Sequence, residues 1–434
     1  MGIIKLGVYA VFFFLFTFSA ISQDSLRLSR EQAEAIFLKE NLLLIAEKLN
    51  ISQAEAKVMQ AKLWPNPTLE IEEVNLWANS KQLNVFGEEL QGFSGGEFGK
   101  NQQISLSIEQ LVITAGKRKK LIALEQVSVD KSEQYFEDLL RNLKIEFRSQ
   151  LTLLQYHQLR WEIYQNQLKS INQLTEAYKK QLEQGNVSQR EYIRLKAVGL
   201  EIAQKINELN IEINQAQKEL KLLMRIPATS YIEIEKDGYL KDVEQMKQIV
   251  LEDVIEQAKA NRPDMKIAAL EESYFNNLYK YEKAQRTPDL KLKGAYDRGG
   301  NFMYNFIGFG LAIDLPVFGR NQGNIKHAQI GIEQSRVLYQ QVESNIENEI
   351  VLTYRNLINV VDFFERIEPG YEGTLDELLI NYTKNFKERN MGMLEYLDFV
   401  DAYLENKEII LKAGRDVNES AEEFNYSVGM DLIK

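Results

Sequence analysis

The chain of 434 residues has no cysteine, two histidines and seven prolines. Without cysteine it has no disulfide, no thiolate-ligated zinc, no thiolate nucleophile and no lipobox residue to carry an N-terminal lipid. His157 and His327 each lack a second histidine at ligand spacing, so no histidine-built metal centre is expected. Positive charge is also in deficit: 52 Lys and Arg against 63 Asp and Glu leave a net −11. No basic block is long enough to track a phosphate backbone, which argues against nucleic-acid binding. Nor does any segment reach the ~20 apolar residues of a spanning helix.

The apolar stretch at the N-terminus reads as an address. Residues 1–22 form a secretory signal peptide, with Lys5 as the positive start, an apolar run over 6–18 and small residues at Ser19-Ala20-Ile21-Ser22 for cleavage near Gln23. A retained anchor is the other reading of the segment, but the run is too short to span. The mature chain is expected to be exported without a transmembrane helix.

The remainder is written twice. A helical pattern over 28–63 ends at Trp64-Pro65-Asn66-Pro67-Thr68-Leu69, and a second over 251–285 ends at Arg286-Thr287-Pro288-Asp289-Leu290, with Pro67 and Pro288 221 positions apart. Further on, Gly116-Lys117-Arg118 pairs with Gly319-Arg320 at an offset of 203. Gly185 pairs with Gly392 at 207, and six residues beyond each stands an acid, Glu191 or Asp398. Shared order with drifting offsets is the mark of one unit duplicated with unequal loops.

Between residues 120 and 184 there is neither glycine nor proline, enough for a helix of roughly 100 Å. From 195 to 223, Leu195, Val198, Ile202, Ile206, Leu209, Ile213, Ala216, Leu220 and Leu223 recur in steps of three and four, a coiled-coil seam. The second half repeats the plan over 322–389 and 394–424, with a kink or short break expected at Pro369-Gly370. Helices of this length must pack side by side, as antiparallel hairpins turning at Gly185 and Gly392. The strands are few and amphipathic. Over 305–315, Asn305, Ile307, Phe309, Leu311, Ile313 and Leu315 share one face, opposite Tyr304, Phe306, Gly308, Gly310, Ala312 and Asp314. Ile104, Leu106 and Ile108 alternate with small or polar residues, as do Leu69 with Ile71 and Leu290 with Leu292. Such runs suit tilted membrane strands, although a small soluble sheet packed on a helix has the same period. Four strands cannot close a barrel and open edges are not tolerated in lipid, so the membrane reading demands several chains per barrel.

The signal peptide, the duplicated helix–strand–strand–long-helix halves and the two glycine tips resemble the TolC family of outer-membrane efflux channels, over about residues 24–430. Trp64-Pro65-Asn66-Pro67-Thr68-Leu69-Glu70, and Glu109-Gln110-Leu111 leading to Ala115-Gly116-Lys117-Arg118, are similar to the subgroup of CzcC- and CusC-like channels for heavy-metal cations; Leu315-Pro316-Val317-Phe318-Gly319-Arg320 is typical of the family's second half. The resemblance implies a mainly α fold with a small β part. In it, duplicated coiled-coil hairpins build an α-barrel tunnel, and four strands per chain enter a trimeric 12-stranded barrel. It divides the chain into signal peptide 1–22, first repeat 23–225, equatorial linker 226–250 and second repeat 251–434 with a C-terminal equatorial segment. Several relatives carry a lipid on an N-terminal cysteine, and this chain has none.

Site residues follow from the same resemblance. The tips Gly185, Asn186, Val187, Ser188 and Asn390, Met391, Gly392, Met393 would meet a periplasmic membrane-fusion adaptor, and through it an inner-membrane RND transporter. Asp398 and Asp401, three apart on one helix face, match the aspartates that ring the closed tunnel entrance. Glu191 occupies the matching place in the first repeat, and Arg194 stands where Asp401 does. Solvated helix-face charge is the plainer reading of these acids. A catalytic carboxylate pair is disfavoured because a long coiled-coil arm offers no cleft. Gly92-Phe93-Ser94-Gly95-Gly96-Glu97-Phe98-Gly99-Lys100-Asn101 fails the phosphate-loop pattern and reads as an extracellular loop. Lys117-Arg118-Lys119-Lys120 reads as a lipid-headgroup or helix-start feature. Met391 and Met393 read as tip packing, there being no third soft ligand nearby.

The leading expectation is therefore a homotrimeric, non-enzymatic exit duct in the outer membrane of a Gram-negative bacterium, with a periplasmic tunnel, no cofactor and heavy-metal cations as cargo. A multidrug or type I secretion channel, or a soluble periplasmic coiled-coil scaffold, are the alternatives.

Overall fold

A computed structural model describes residues 25–75, 103–236, 239–298 and 305–433. The signal peptide, the glycine-rich segment at 92–101 and Tyr304 lie outside the described residues. Among those described, no helix is long and apolar enough to cross a membrane.

In chain order the first half runs β1 (Ser25–Leu28), α1 (Arg30–Glu40), α2 (Leu42–Lys62), β2 (Thr68–Asn75), β3 (Gln103–Val112), α3 (Lys117–Glu183), α4 (Gln189–Met224) and β4 (Tyr231–Ile234). After α5 (Val243–Lys247) the second half runs α6 (Leu251–Asn261), α7 (Pro263–Ala284), β5 (Leu290–Arg298), β6 (Phe306–Ile313), α8 (Gln322–Phe364), α9 (Tyr371–Lys387) and α10 (Met393–Val428). The mainly helical fold with a small β part stands. Packing groups the residues into two compact units, Met1–Glu40 with Gln150–Tyr239, and Asn41–Ser149 with Leu240–Lys434.

In the first unit, the later part of α3 pairs with α4 through the seam. Leu195, Ile202, Ile206, Leu209, Ile213, Ala216, Leu220 and Leu223 are all buried. Beside the hairpin, β1 and β4 form a parallel two-stranded sheet, a pairing that four-residue strands do not announce in sequence. Its edge is closed by glutamines. Gln217 donates to the Ile232 carbonyl and accepts from the Ile232 N–H, and Gln158 does the same for the Ile232 carbonyl and the Ile234 N–H.

In the second unit the expected single helix at the start of the repeat is two. Arg262 precedes Pro263 at N1 of α7, and Pro263 has no N–H to continue α6. The first half breaks at Asn41, whose carboxamide caps the N–H groups of Leu43 and Leu44. Asn41 and Arg262 stand 262 − 41 = 221 positions apart, the offset of Pro67 and Pro288. The expected break at Pro369-Gly370 is also there, α9 starting after Gly370 at φ 83°.

The core of this unit gathers Ile346, Ile350, Leu357 and Val361 of α8 with Val417, Ala421, Phe424 and Val428 of α10 and Val254 and Ala258 of α6. Arg262, 4% exposed, is its polar hub. It makes a bidentate pair with Asp264, reaches Glu349 at 2.6 Å and donates to the Ser427 carbonyl. Gly429 closes α10 at φ 80°, where a Cβ would also come within 2.8 Å of the Arg262 Cγ. The last residues fold back onto Asn425, which accepts from the Leu432 and Ile433 N–H groups and donates to the Ile433 carbonyl.

Asp431 anchors this tail to Lys144 at 2.7 Å and to Arg148 at 2.7 and 3.1 Å. Burial pushes its carboxyl up, but hydrogen bonds and charge from Arg148 and Lys144 outweigh that and hold it down at about 2. Because the folded value lies below the unfolded one, the contribution is complete above about pH 4 and is lost as pH falls toward 2. Stability followed by thermal melting is expected to drop between pH 4 and 2, and Asp431→Asn is expected to be less stable at pH 6 with a flatter profile in that window. An identical acid profile for the two proteins would remove Asp431 as the anchor.

Candidate functional site

Two features are the candidate sites: the helical tips and the four-stranded sheet. At the first tip, α3 ends in a Schellman turn. Gly185 sits at φ 74° with its N–H on the Leu182 carbonyl, and the Asn186 N–H reaches the Gln181 carbonyl. Ser188 then caps α4 in a full capping box. Its Oγ accepts from the Glu191 N–H, and the Glu191 carboxylate accepts from the Ser188 N–H and Oγ, both at 2.8 Å. Glu191 thus has a structural task at the tip.

At the second tip the same turn is built on a different residue. Arg389 holds the left-handed position at φ 63°, with its N–H on the Phe386 carbonyl and the Asn390 N–H on the Asn385 carbonyl. Gly392 is the N-cap of α10 in extended conformation, φ −76° and ψ 151°, with no side-chain cap. The sequence reading paired Gly185 with Gly392, and this is corrected. Gly185 corresponds to Arg389 and Ser188 to Gly392, since 389 − 185 and 392 − 188 both give 204. In that register Glu191-Tyr192 aligns with Glu395-Tyr396, Arg194 with Asp398 and Ala197 with Asp401. A glycine three residues away drew the alignment off, because an arginine in the left-handed region has no compositional signal.

Aromatic stacking holds this second hairpin together. Phe386 lies parallel to Tyr396 at 4.5 Å, and Tyr382 stacks on Phe399 at 4.0 Å. Asp398 and Asp401 are exposed one turn apart on α10; Glu191 belongs to the other unit. Asn186 and Asn390 are exposed, and Val187, Met391 and Met393 are half-buried. Farther along α10, the buried Lys407 joins Glu372 at 2.7 Å and Asp376 at 2.9 Å, and Tyr403 donates to Asp376 at 2.8 Å. Burial, then Asp376, pushes the Tyr403 phenol up. Sequence reading missed this cluster; only the i, i+4 spacing of Glu372 and Asp376 hinted at it.

The sheet has the order β2-β3-β5-β6, all antiparallel. Its register puts Leu69, Ile108 and Phe309 in one row with Gly294, and Ile71, Leu106 and Ile307 in another with Tyr296. This face is apolar and open, Phe309 being 91% exposed. The opposite face is polar: Glu70 accepts from Lys293 and from Ser107, both at 3.1 Å. Both long edges, β2 and β6, have no further strand partner among the described residues. Among the described residues no three His, Asp or Glu side chains converge to hold a metal.

The model of the outer membrane efflux protein family matches residues 254–358. Among solved structures, CusC is similar at 18% identity over 92% of each chain, with a TM-score of 0.69. The CmeC outer membrane channel of Campylobacter jejuni shares 14% identity over 92% of this chain and 85% of its own, with a TM-score of 0.71. VceC of Vibrio cholerae shares 14% over 93% and 97%, with a TM-score of 0.65. At these identities the likeness shows the fold. A comparison with curated proteins finds no match.

The corrected register has a measurable consequence at the tips. No atom lies within 4 Å of a Cβ built on Gly185, so Gly185→Ala is expected to lose about 1 kcal/mol through backbone strain alone. Arg389→Gly is expected to be neutral or stabilising, because it relieves the same strain. Hydrogen exchange in the flanking turns reads both; faster exchange in Arg389→Gly would restore the Gly392 alignment.

Proposed function

We propose that this chain, an outer-membrane channel protein of the TolC type by its fold and by the family match over residues 254–358, is the passive exit duct of a tripartite RND-type efflux system for heavy-metal cations. The sheet is the observation that supports this most directly. It is apolar and exposed on one face, polar on the other, and open along β2 and β6. In hydrocarbon each bare peptide group costs several kcal/mol, and four strands are too few to close a barrel. Sister chains therefore complete the wall, and three of them supply 12 strands. The long hairpins continue the duct through the periplasm.

The chain is a channel component and not an enzyme; the inner-membrane transporter supplies the energy. The tips at 185–188 and 390–393 dock on the membrane-fusion adaptor that links the two. Under threefold symmetry Asp398 and Asp401 each become a ring of three carboxylates. Such rings favour cations and repel one another when all are ionised. Heavy-metal cargo is supported by the junction motifs at Trp64–Glu70 and Glu109–Arg118.

The absence of native cysteine makes introduced pairs unambiguous. Because β2 and β6 are not neighbours within one chain, cysteines at Ile71 and Phe309 are expected to cross-link into trimers in native membranes. A deletion strain is expected to gain sensitivity to divalent heavy metals. Monomers only, in a soluble fraction, would reject the duct; sensitivity confined to drugs would reassign the cargo. In planar bilayers, Asp398→Ala with Asp401→Ala is expected to weaken cation selectivity and block by divalent cations. Unchanged conductance properties would remove the carboxylate rings.

A further inference from the structure

The chain carries −11 as a whole, yet positive charge accumulates at one level of the fold. The register of Val112 with Leu290 and of Leu290 with Ile313, and of Thr68 with Glu109, brings all four strand–helix junctions to the same end of the sheet. The junction segments 62–67, 113–120, 282–289 and 314–322 contain eight Lys and Arg against three acids, Glu282, Asp289 and Asp314, so 8 − 3 leaves +5. The acids do not balance the surface. Asp289 is taken by the buried Lys117 at 2.8 Å, and Asp314 lies 3.5 Å from Lys291 on β5. Arg118, Lys119, Arg286 and Arg320 have no ion pair among the described residues, and Lys119, Arg286 and Arg320 are exposed.

Apolar side chains interleave with these cations. Trp64 is 63% exposed, Leu315 77% and Phe318 93%. The Arg118 guanidinium lies 4.0 Å over the Trp64 ring and donates to the Lys62 carbonyl. The collar is also tied together. Gln110 donates to the Pro65 carbonyl, Thr114 bonds Pro288 and Asp289, and Asn321 donates to the Glu282 carbonyl, so each junction is fastened to the next. A fixed belt of exposed aromatics and unpaired cations, directly below an apolar sheet face, matches a membrane–water interface carrying negative headgroups.

We propose that this collar binds the phosphate headgroups of anionic glycerophospholipids in the leaflet on the helical side of the sheet. The aromatic and aliphatic side chains enter the acyl boundary, while Arg118, Lys119, Arg286 and Arg320 engage phosphates. This rests on the outer-membrane reading above, since the collar meets lipid only if the sheet spans.

The test uses the full chain in mild detergent with equimolar phosphatidylglycerol and phosphatidylcholine, and native mass spectrometry to count the lipid retained. The wild type is expected to retain phosphatidylglycerol preferentially, and to lose that preference as salt is raised. The variant R118Q/K119Q/R286Q/R320Q is expected to keep its trimer mass and channel conductance while its anionic-to-zwitterionic ratio falls on the order of tenfold. Equal retention by the wild type, or an unchanged ratio in the variant, would overturn the proposal. Phe318→Ser is expected to lower total lipid retained with the trimer intact; dissociation of the trimer would overturn the assignment by making the collar a contact between copies. Failure of the wild type to enter membranes would instead sink the duct itself, whereas insertion without headgroup preference sinks only the collar.

Discussion

A peptide group needs a hydrogen-bond partner wherever water cannot supply one, and the two sheets of this chain meet that demand differently. In the parallel β1–β4 pair the free edge of β4 is met within its own unit. Gln217 and Gln158 present both a donor and an acceptor to the buried side of β4 that faces away from β1, so that edge is satisfied by side chains. The four-stranded sheet has no further strand on β2 or β6 among the described residues. With its apolar face open, the proposed membrane setting leaves these edges to be completed by strands of other copies.

Duplication supplies the geometry and divergence supplies the chemistry. Both halves break their first helix at positions 221 apart. The first does so with a neutral carboxamide that caps two N–H groups. The second uses a buried guanidinium that binds two carboxylates and a carbonyl. A buried cation of this kind is retained at a desolvation cost, so the second break is the more constrained, and Gly429 is part of that constraint. The tips diverge in the same sense. One has a capping box, while the other starts its helix on an uncapped glycine and relies on two aromatic stacks.

Much of this was legible in residue patterns. The seam from Leu195 to Leu223 is periodic because burial selects one helix face, and the strands alternate because one face of the sheet is apolar and the other polar. Pro369-Gly370 announced its break through the missing N–H and the positive φ. What pattern could not reveal depends on single side chains acting over long sequence distances or against their own propensity. Asn41 in a helical run looks like a solvated residue until its cap is seen. Strands of four residues have too little sequence to show a period. Arg389 occupies a backbone region that composition assigns to glycine, and the nearby Gly392 absorbed that role in the sequence alignment. Lys407, Glu372 and Asp376 form a cluster only once α9 and α10 are paired.

The corrected tip register also redistributes the charge in the proposed tunnel entrance. Arg194 and Asp398 each lie six residues beyond their N-caps, Ser188 and Gly392. At that position of its own helix the first repeat has a cation and the second an anion. Asp401 has the neutral Ala197 as its counterpart. Glu191, drawn into the first-repeat capping box, is held by the Ser188 backbone and hydroxyl, so part of its hydrogen-bonding capacity is spent on the tip. Two acids that sequence spacing presents as equivalent thus have unlike counterparts in the other repeat, a cation for Asp398 and a neutral residue for Asp401.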